Sequence, residues 1–125
     1  MARKTERTPH WLADVEKHDF AAAESYLRLL YEPKVSRRLV KALHDAAAAQ
    51  FKAKDIFRAS QLSLLGISNT HVETDRKRIR QGKGLSPLLL VRDAARGRVI
   101  VADGYHRLCA VYGFDEDAMI PCRIV

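Results

Sequence analysis

A chain of 125 residues with 47% hydrophobic content is long enough for one domain with its own core and too short for two comfortable ones. Its apolar runs are only a few residues long and its N-terminus, MARKTERTPH, is polar, so neither a membrane span nor a signal peptide is expected, and the protein is expected to be soluble and cytoplasmic. A formal net charge of +7 favours an anionic partner without naming one, and two cysteines, Cys109 and Cys122, with no CxxC spacing argue against a disulfide framework or a zinc cluster.

Residues 1 to about 10 carry charge and no apolar periodicity, as a mobile arm would. Between Asp19 and Tyr31 the residues Phe20, Ala23, Tyr26, Leu27, Leu30 and Tyr31 recur at helical spacing, with Asp19 placed to cap and Pro33 to stop the helix. Trp11, just before it, is expected to pack this extension onto the domain. Pro33 also suits the first turn of a second helix running to about Gln50, with Val35, Leu39, Leu43 and Ala46 or Ala47 as its apolar face. Its cations Lys34, Arg37, Arg38 and Lys41 read either as a wet helix surface or as a nucleic-acid face. From Lys52 to Ile67 apolar residues are interleaved with small polar ones, which predicts a short strand or extended segment.

A third helix is predicted from about Thr70 to Gln81, capped by Asn69 or Thr70, stopped by Gly82 and anchored by Val72 and Ile79. Arg76, Lys77, Arg78 and Arg80 make it the most basic stretch of the chain. Ser86 and Pro87 then lead into Leu88–Val91, an apolar run suited to a strand buried on both faces. A reversal over Arg92–Arg98 pairs residues 88–91 with 99–102 as a hairpin. Val99–Ala102, Asp103-Gly104-Tyr105 and the segment to Tyr112 read as strand, glycine turn and helix, with Gly113 as the stop and Ile120–Val125 as a closing strand.

The junction at Gly104 concentrates the candidate chemistry. Unpaired N–H groups and the positive end of a helix dipole make a strand–turn–helix junction a natural anion site, and this one carries His106 and Arg107. His106 is the candidate for proton transfer or hydrogen bonding to phosphate, and Arg107 for phosphate binding. Asp103 has two readings: orienting Arg107, contacting a phosphate-bound metal or acting as a base, or else capping the helix. Cys109 reads as a core residue. His10, His18, His44 and His71 show no ligand spacing, so no metal site is built from the sequence.

The order GKGLSPLLLV, hairpin, VIVADGYHRLCA, then IPCRIV resembles the ParB/sulfiredoxin superfamily over about residues 55–125. The resemblance implies an α+β fold, in which N-terminal helices precede a small mixed β-sheet. It divides the chain into a helical extension, 1–54, and a ParB/sulfiredoxin-like domain, 55–125, packed as one unit. It also implies nucleotide phosphates at Gly104, Tyr105, His106 and Arg107, with Ser86 of the strand lead-in counted among the ligand-binding residues and His106 and Asp103 as the catalytic pair. A nucleoside triphosphate with Mg²⁺ would be the cofactor. Two branches of the superfamily are set aside. Tyr105 stands where a sulfiredoxin has its nucleophilic cysteine, and the chain ends at Val125, before the DNA-binding and dimerisation parts of a partition protein. The expected function is therefore binding of a nucleotide or other phosphorylated ligand, with hydrolysis or phosphoryl transfer left open. The alternative is a non-enzymatic DNA-associated or regulatory module that uses the basic helices.

Overall fold

A computed structural model describes residues 8–63 and 69–125. Among these the fold is α+β, with five helices, a mixed four-stranded sheet and a small parallel pair of strands. The pair consists of β1 (His10–Trp11) and β3 (Gly84–Leu85), so the chain from His10 onward is tied to the domain. Trp11 packs against the core, as its aromatic bulk predicts.

Helix α1 (Lys17–Leu27) buries Phe20, Ala23 and Leu27 along one stripe. Its N-cap is Glu16, and Asp19 lies one turn inside, buried. Asp19 is therefore not the cap, because its carboxylate is engaged elsewhere. Helix α2 (Pro33–Asp45) begins at its proline as expected but buries Ser36, Val40 and Leu43, a face rotated from the expected one. Ser36 tolerates burial because its hydroxyl donates to the Glu32 carbonyl one turn back, at 3.2 Å. The helix does not reach Gln50. The alanine-rich stretch that follows enters β2 (Ala48–Lys52), which pairs antiparallel with β6 (Met119–Ile124), so sheet pairing overrides local helix propensity.

The expected extended segment from Lys52 is instead helix α3 (Ala53–Ser60), with Ala53, Ile56 and Ser60 buried at helical spacing; residues 64–68 of that stretch lie outside the described residues. Helix α4 (Thr70–Arg80) matches its prediction closely. The Asn69 side chain accepts from the N–H groups of His71 and Val72, and Val72 and Ile79 are the buried anchors.

Strands β4 (Leu88–Asp93) and β5 (Arg98–Asp103) form the predicted hairpin, with Leu90 opposite Val101 and Val91 opposite Ile100. The sheet order is β2-β6-β4-β5, and β6 runs parallel to β4. Alternation along β4 divides the core in two. Leu88 and Leu90 pack with residues of α3, α4 and helix α5 (Tyr105–Phe114), whereas Leu89 and Val91 pack with residues of α1 and α2. The sheet is thus covered on both faces, and β2 shares it with the strands beyond residue 55. Gly113 does not stop α5, which runs on to Phe114. A Cβ at Gly113 would lie 2.9 Å from the Arg76 guanidinium of α4, the movable end of a flexible side chain. No helix among the described residues is long and apolar enough to cross a membrane.

Candidate functional site

Strand β5 ends at Asp103 and the chain turns through Gly104, whose φ of 106° is a conformation that favours glycine. The turn is also tight: a Cβ on Gly104 would lie 2.8 Å from Leu88 Cγ and 2.8 Å from Arg107 Nη2. The first backbone bond of α5 runs from the Leu108 N–H to the Gly104 carbonyl, at 2.9 Å. The N–H groups of Tyr105, His106 and Arg107 lie ahead of it, and no side chain among the described residues caps them.

Asp103 does not cap the helix because it is bound to Arg107. Arg107 Nη2 donates to Asp103 Oδ2 at 3.1 Å and to Asp19 Oδ2 at 3.4 Å. All three side chains are largely buried, with Asp19 only 4% exposed. Burial pushes the Asp103 carboxyl above the usual carboxylate range; Arg107 works against that rise and the Asp19 charge adds to it. Arg107 Nε is buried with no hydrogen-bond partner among the described residues.

Beside this network lies a cavity of about 270 Å³, walled by Asp103, Gly104, Tyr105, His106 and Arg107 on one side and by His71, Thr74, Asp75 and Arg78 of α4 on the other. The His71 and His106 rings lie beside each other, tilted by 42° with centroids 4.9 Å apart. Burial lowers the His106 pKa, and His71 lowers it further, while Asp75 acts in the opposite direction. Asp75 is raised by its own burial, against the pull of Arg107, Arg78, His106 and His71. Arg78 is exposed and forms no ion pair among the described residues, so its guanidinium is available to a ligand. Thr74 turns its hydroxyl back onto the Thr70 carbonyl. The Tyr105 hydroxyl donates to the Ser63 carbonyl, and burial raises its pKa.

Of the residues singled out in the sequence, Asp103 to Arg107 therefore meet at one cavity. Ser86 is not brought there. It is 1% exposed, and its Oγ accepts the Glu16 N–H at 3.1 Å, which fixes the approach to α1. The sequence reading missed His71, Thr74 and Asp75, although positions 71, 74, 75 and 78 follow the helical spacing of a single face and so carry a legible signal. It also missed Asp19, whose partner lies 88 positions away.

Glu16, His18 and Asp19 bring three potential metal-ligand atoms within 4.8 Å of one another. They sit at the N-terminal turn of α1, where the helix dipole and the Arg107 guanidinium both oppose a cation. Cys109 and Cys122 are buried, as core residues. Neither a protein-family model, nor a curated protein sequence, nor a solved structure matches the chain.

The site has the means to hold an anion and to move a proton. The three leading amides of α5, Arg78 and the two imidazoles are donors around one space. Asp75 is a carboxylate at the same space that could lean on Mg²⁺ accompanying a phosphate, since that ion takes one or two carboxylates and phosphate oxygens, whereas Asp103 is already held by Arg107.

Proposed function

We propose that the cavity between α4 and the start of α5 binds the phosphate of a nucleotide or of another phosphorylated small molecule. The observation that carries this reading is convergence. The uncapped N-terminus of α5 and the His71–Arg78 face of α4 are separate elements that present donors to the same cavity. The resemblance of the Asp103–Arg107 turn to the phosphate-binding turn of the ParB/sulfiredoxin superfamily points the same way. In hydrolysis or phosphoryl transfer, His106 and Asp75 are the groups placed to give or take a proton, with positioning and charge neutralisation supplying most of the acceleration.

The test is calorimetric titration of the protein with ATP, CTP, GTP, ADP and inorganic phosphate, with and without Mg²⁺, on wild type and on Arg78→Gln. Saturable binding weakened about tenfold by the loss of one charge-assisted contact supports the proposal. The absence of heat and of thermal stabilisation with every ligand refutes it.

A second reading is binding to the backbone of DNA. It is favoured by Lys34, Arg37, Arg38 and Lys41, which are exposed on α2 without ion pairs among the described residues, across the sheet from the cavity. Sequence-indifferent binding that collapses between low and moderate salt, and is lost on replacing these four residues, supports it.

A further inference from the structure

A second cavity, of about 240 Å³, lies between α3 and the sheet and shares no residue with the phosphate cavity. Ile56 and Ala59 of α3 cover Leu90, Val99 and Ile124 from three different strands, and the half-exposed ring of Phe51 lies beside them. Six of its eight lining residues are apolar; the other two are Asp55 and Arg92. Arg92 continues the row of Leu88 and Leu90 along β4, so a guanidinium occupies a position where alternation calls for an apolar side chain. Its backbone N–H is used in donating to the Val125 carbonyl, but its side chain has no hydrogen-bond or ion-pair partner among the described residues. Asp55, by contrast, is turned toward Arg58 of its own helix, at 3.6 Å.

An apolar slot with one uncommitted guanidinium selects its ligand by chemistry. The slot takes a hydrocarbon body. The guanidinium offers two parallel N–H donors that match a carboxylate. No second cation among the described residues lines the cavity, so a phosphate dianion would leave oxygens facing Leu90 and Val99 without donors, at a desolvation cost. We infer that this cavity binds a small monocarboxylate with an aliphatic body, its chain against Leu90, Val99 and Ile124 and its carboxylate on Arg92. This is a site independent of the phosphate cavity, and neither depends on the other.

Octanoate and its uncharged counterpart octanamide are the probes, titrated calorimetrically into the wild-type chain, Arg92→Gln and Ala59→Phe. Octanoate is expected to bind wild type saturably, one per chain, and octanamide about tenfold more weakly, the difference being the charge-assisted pair. Arg92→Gln should bring octanoate down to the level of octanamide while leaving octanamide unchanged, and Ala59→Phe should remove both by filling the slot. Equal affinity for the two probes, an unaltered octanoate affinity in Arg92→Gln, or no binding to wild type overturns the inference. Arg92 is exposed and its substitution leaves the core untouched, so that comparison decides the matter even if Ala59→Phe does not fold.

Discussion

Replacing Arg107 by methionine keeps most of the side-chain volume and removes the guanidinium shared by two buried carboxylates. Asp19 is 4% exposed and Asp103 19%, and both accept from Arg107 Nη2. Leaving buried charges uncompensated costs about 3–5 kcal/mol, and the lower end applies because Asp103 retains some solvent. At about 4 °C per kcal/mol for a domain of this size, Tm should fall by roughly 12 °C at neutral pH.

The pH dependence separates this electrostatic cost from lost packing. The Asp103 carboxyl in the folded protein already lies above its ordinary value through burial, so the folded state holds its proton more tightly than the unfolded state does. Stability from this group therefore falls as pH rises from the ordinary carboxylate range through the raised folded value. Arg107 is the main influence holding that value down, so removing it extends the interval upward. The stability difference between wild type and Arg107→Met should then be largest near pH 7 and narrow as the pH is lowered toward 4, and Asp103→Asn in the same background should restore part of it. Urea unfolding at several pH values measures this. A difference that stays constant with pH would assign the loss to the aliphatic stem of Arg107, and a difference below about 1 kcal/mol would show that the carboxylates are solvated, refuting the argument either way.

Two glycine substitutions form a matched contrast. Gly104→Ala should destabilise by about 3 kcal/mol, adding overpacking against Leu88 to backbone strain, whereas Gly97→Ala, at φ 64° with open space around it, should cost only about 1 kcal/mol; equal losses in chemical denaturation would refute the steric reading. The Cys122 thiol, pushed up to about 11 by burial, should resist iodoacetamide at pH 8 in the folded protein and react once it is unfolded, as followed by mass spectrometry. Asn69→Ala removes the acceptor for two N–H groups at the start of α4 and should cost about 1 kcal/mol in urea, with an unchanged midpoint arguing against that cap.

The parts of the fold legible in the sequence are those where local signals agree with one another. Leu88–Val91 reads as a strand because an unbroken apolar run is buried on both sheet faces, and α4 reads as a helix because Asn69 caps it and Val72 and Ile79 anchor it. Strand β2 was hidden because Ala46–Ala49 favours a helix locally, and only pairing with β6, some seventy residues away, turns it into a strand. Helix α3 was hidden by its length of two turns, too short for a periodicity to stand out among neighbouring apolar residues. The turn at Gly104 was legible because strand, glycine and helix are contiguous there. Of the opposite wall, the basic character of α4 with Arg78 was legible, whereas His71, Thr74 and Asp75 were not, because polar residues on one helix face look like an ordinary solvated surface.

The buried network also decides how the phosphate proposal must distribute its binding energy. Arg107 lines the cavity, yet its Nη2 is already shared between Asp103 of β5 and Asp19 of α1. A ligand that drew that group away would strip two buried carboxylates of their cation, so its gain from Arg107 would be largely offset. The first contacts must then come from the amides of α5 and from Arg78, which is exposed and forms no ion pair among the described residues. Arg78→Gln should consequently weaken phosphate binding about tenfold while shifting stability by less than about 0.5 kcal/mol, and Arg107→Met should do the reverse at any temperature where it remains folded. Isothermal titration and urea unfolding on the two variants test this directly. A large affinity loss in folded Arg107→Met with none in Arg78→Gln would mean that the guanidinium leaves its carboxylates on binding.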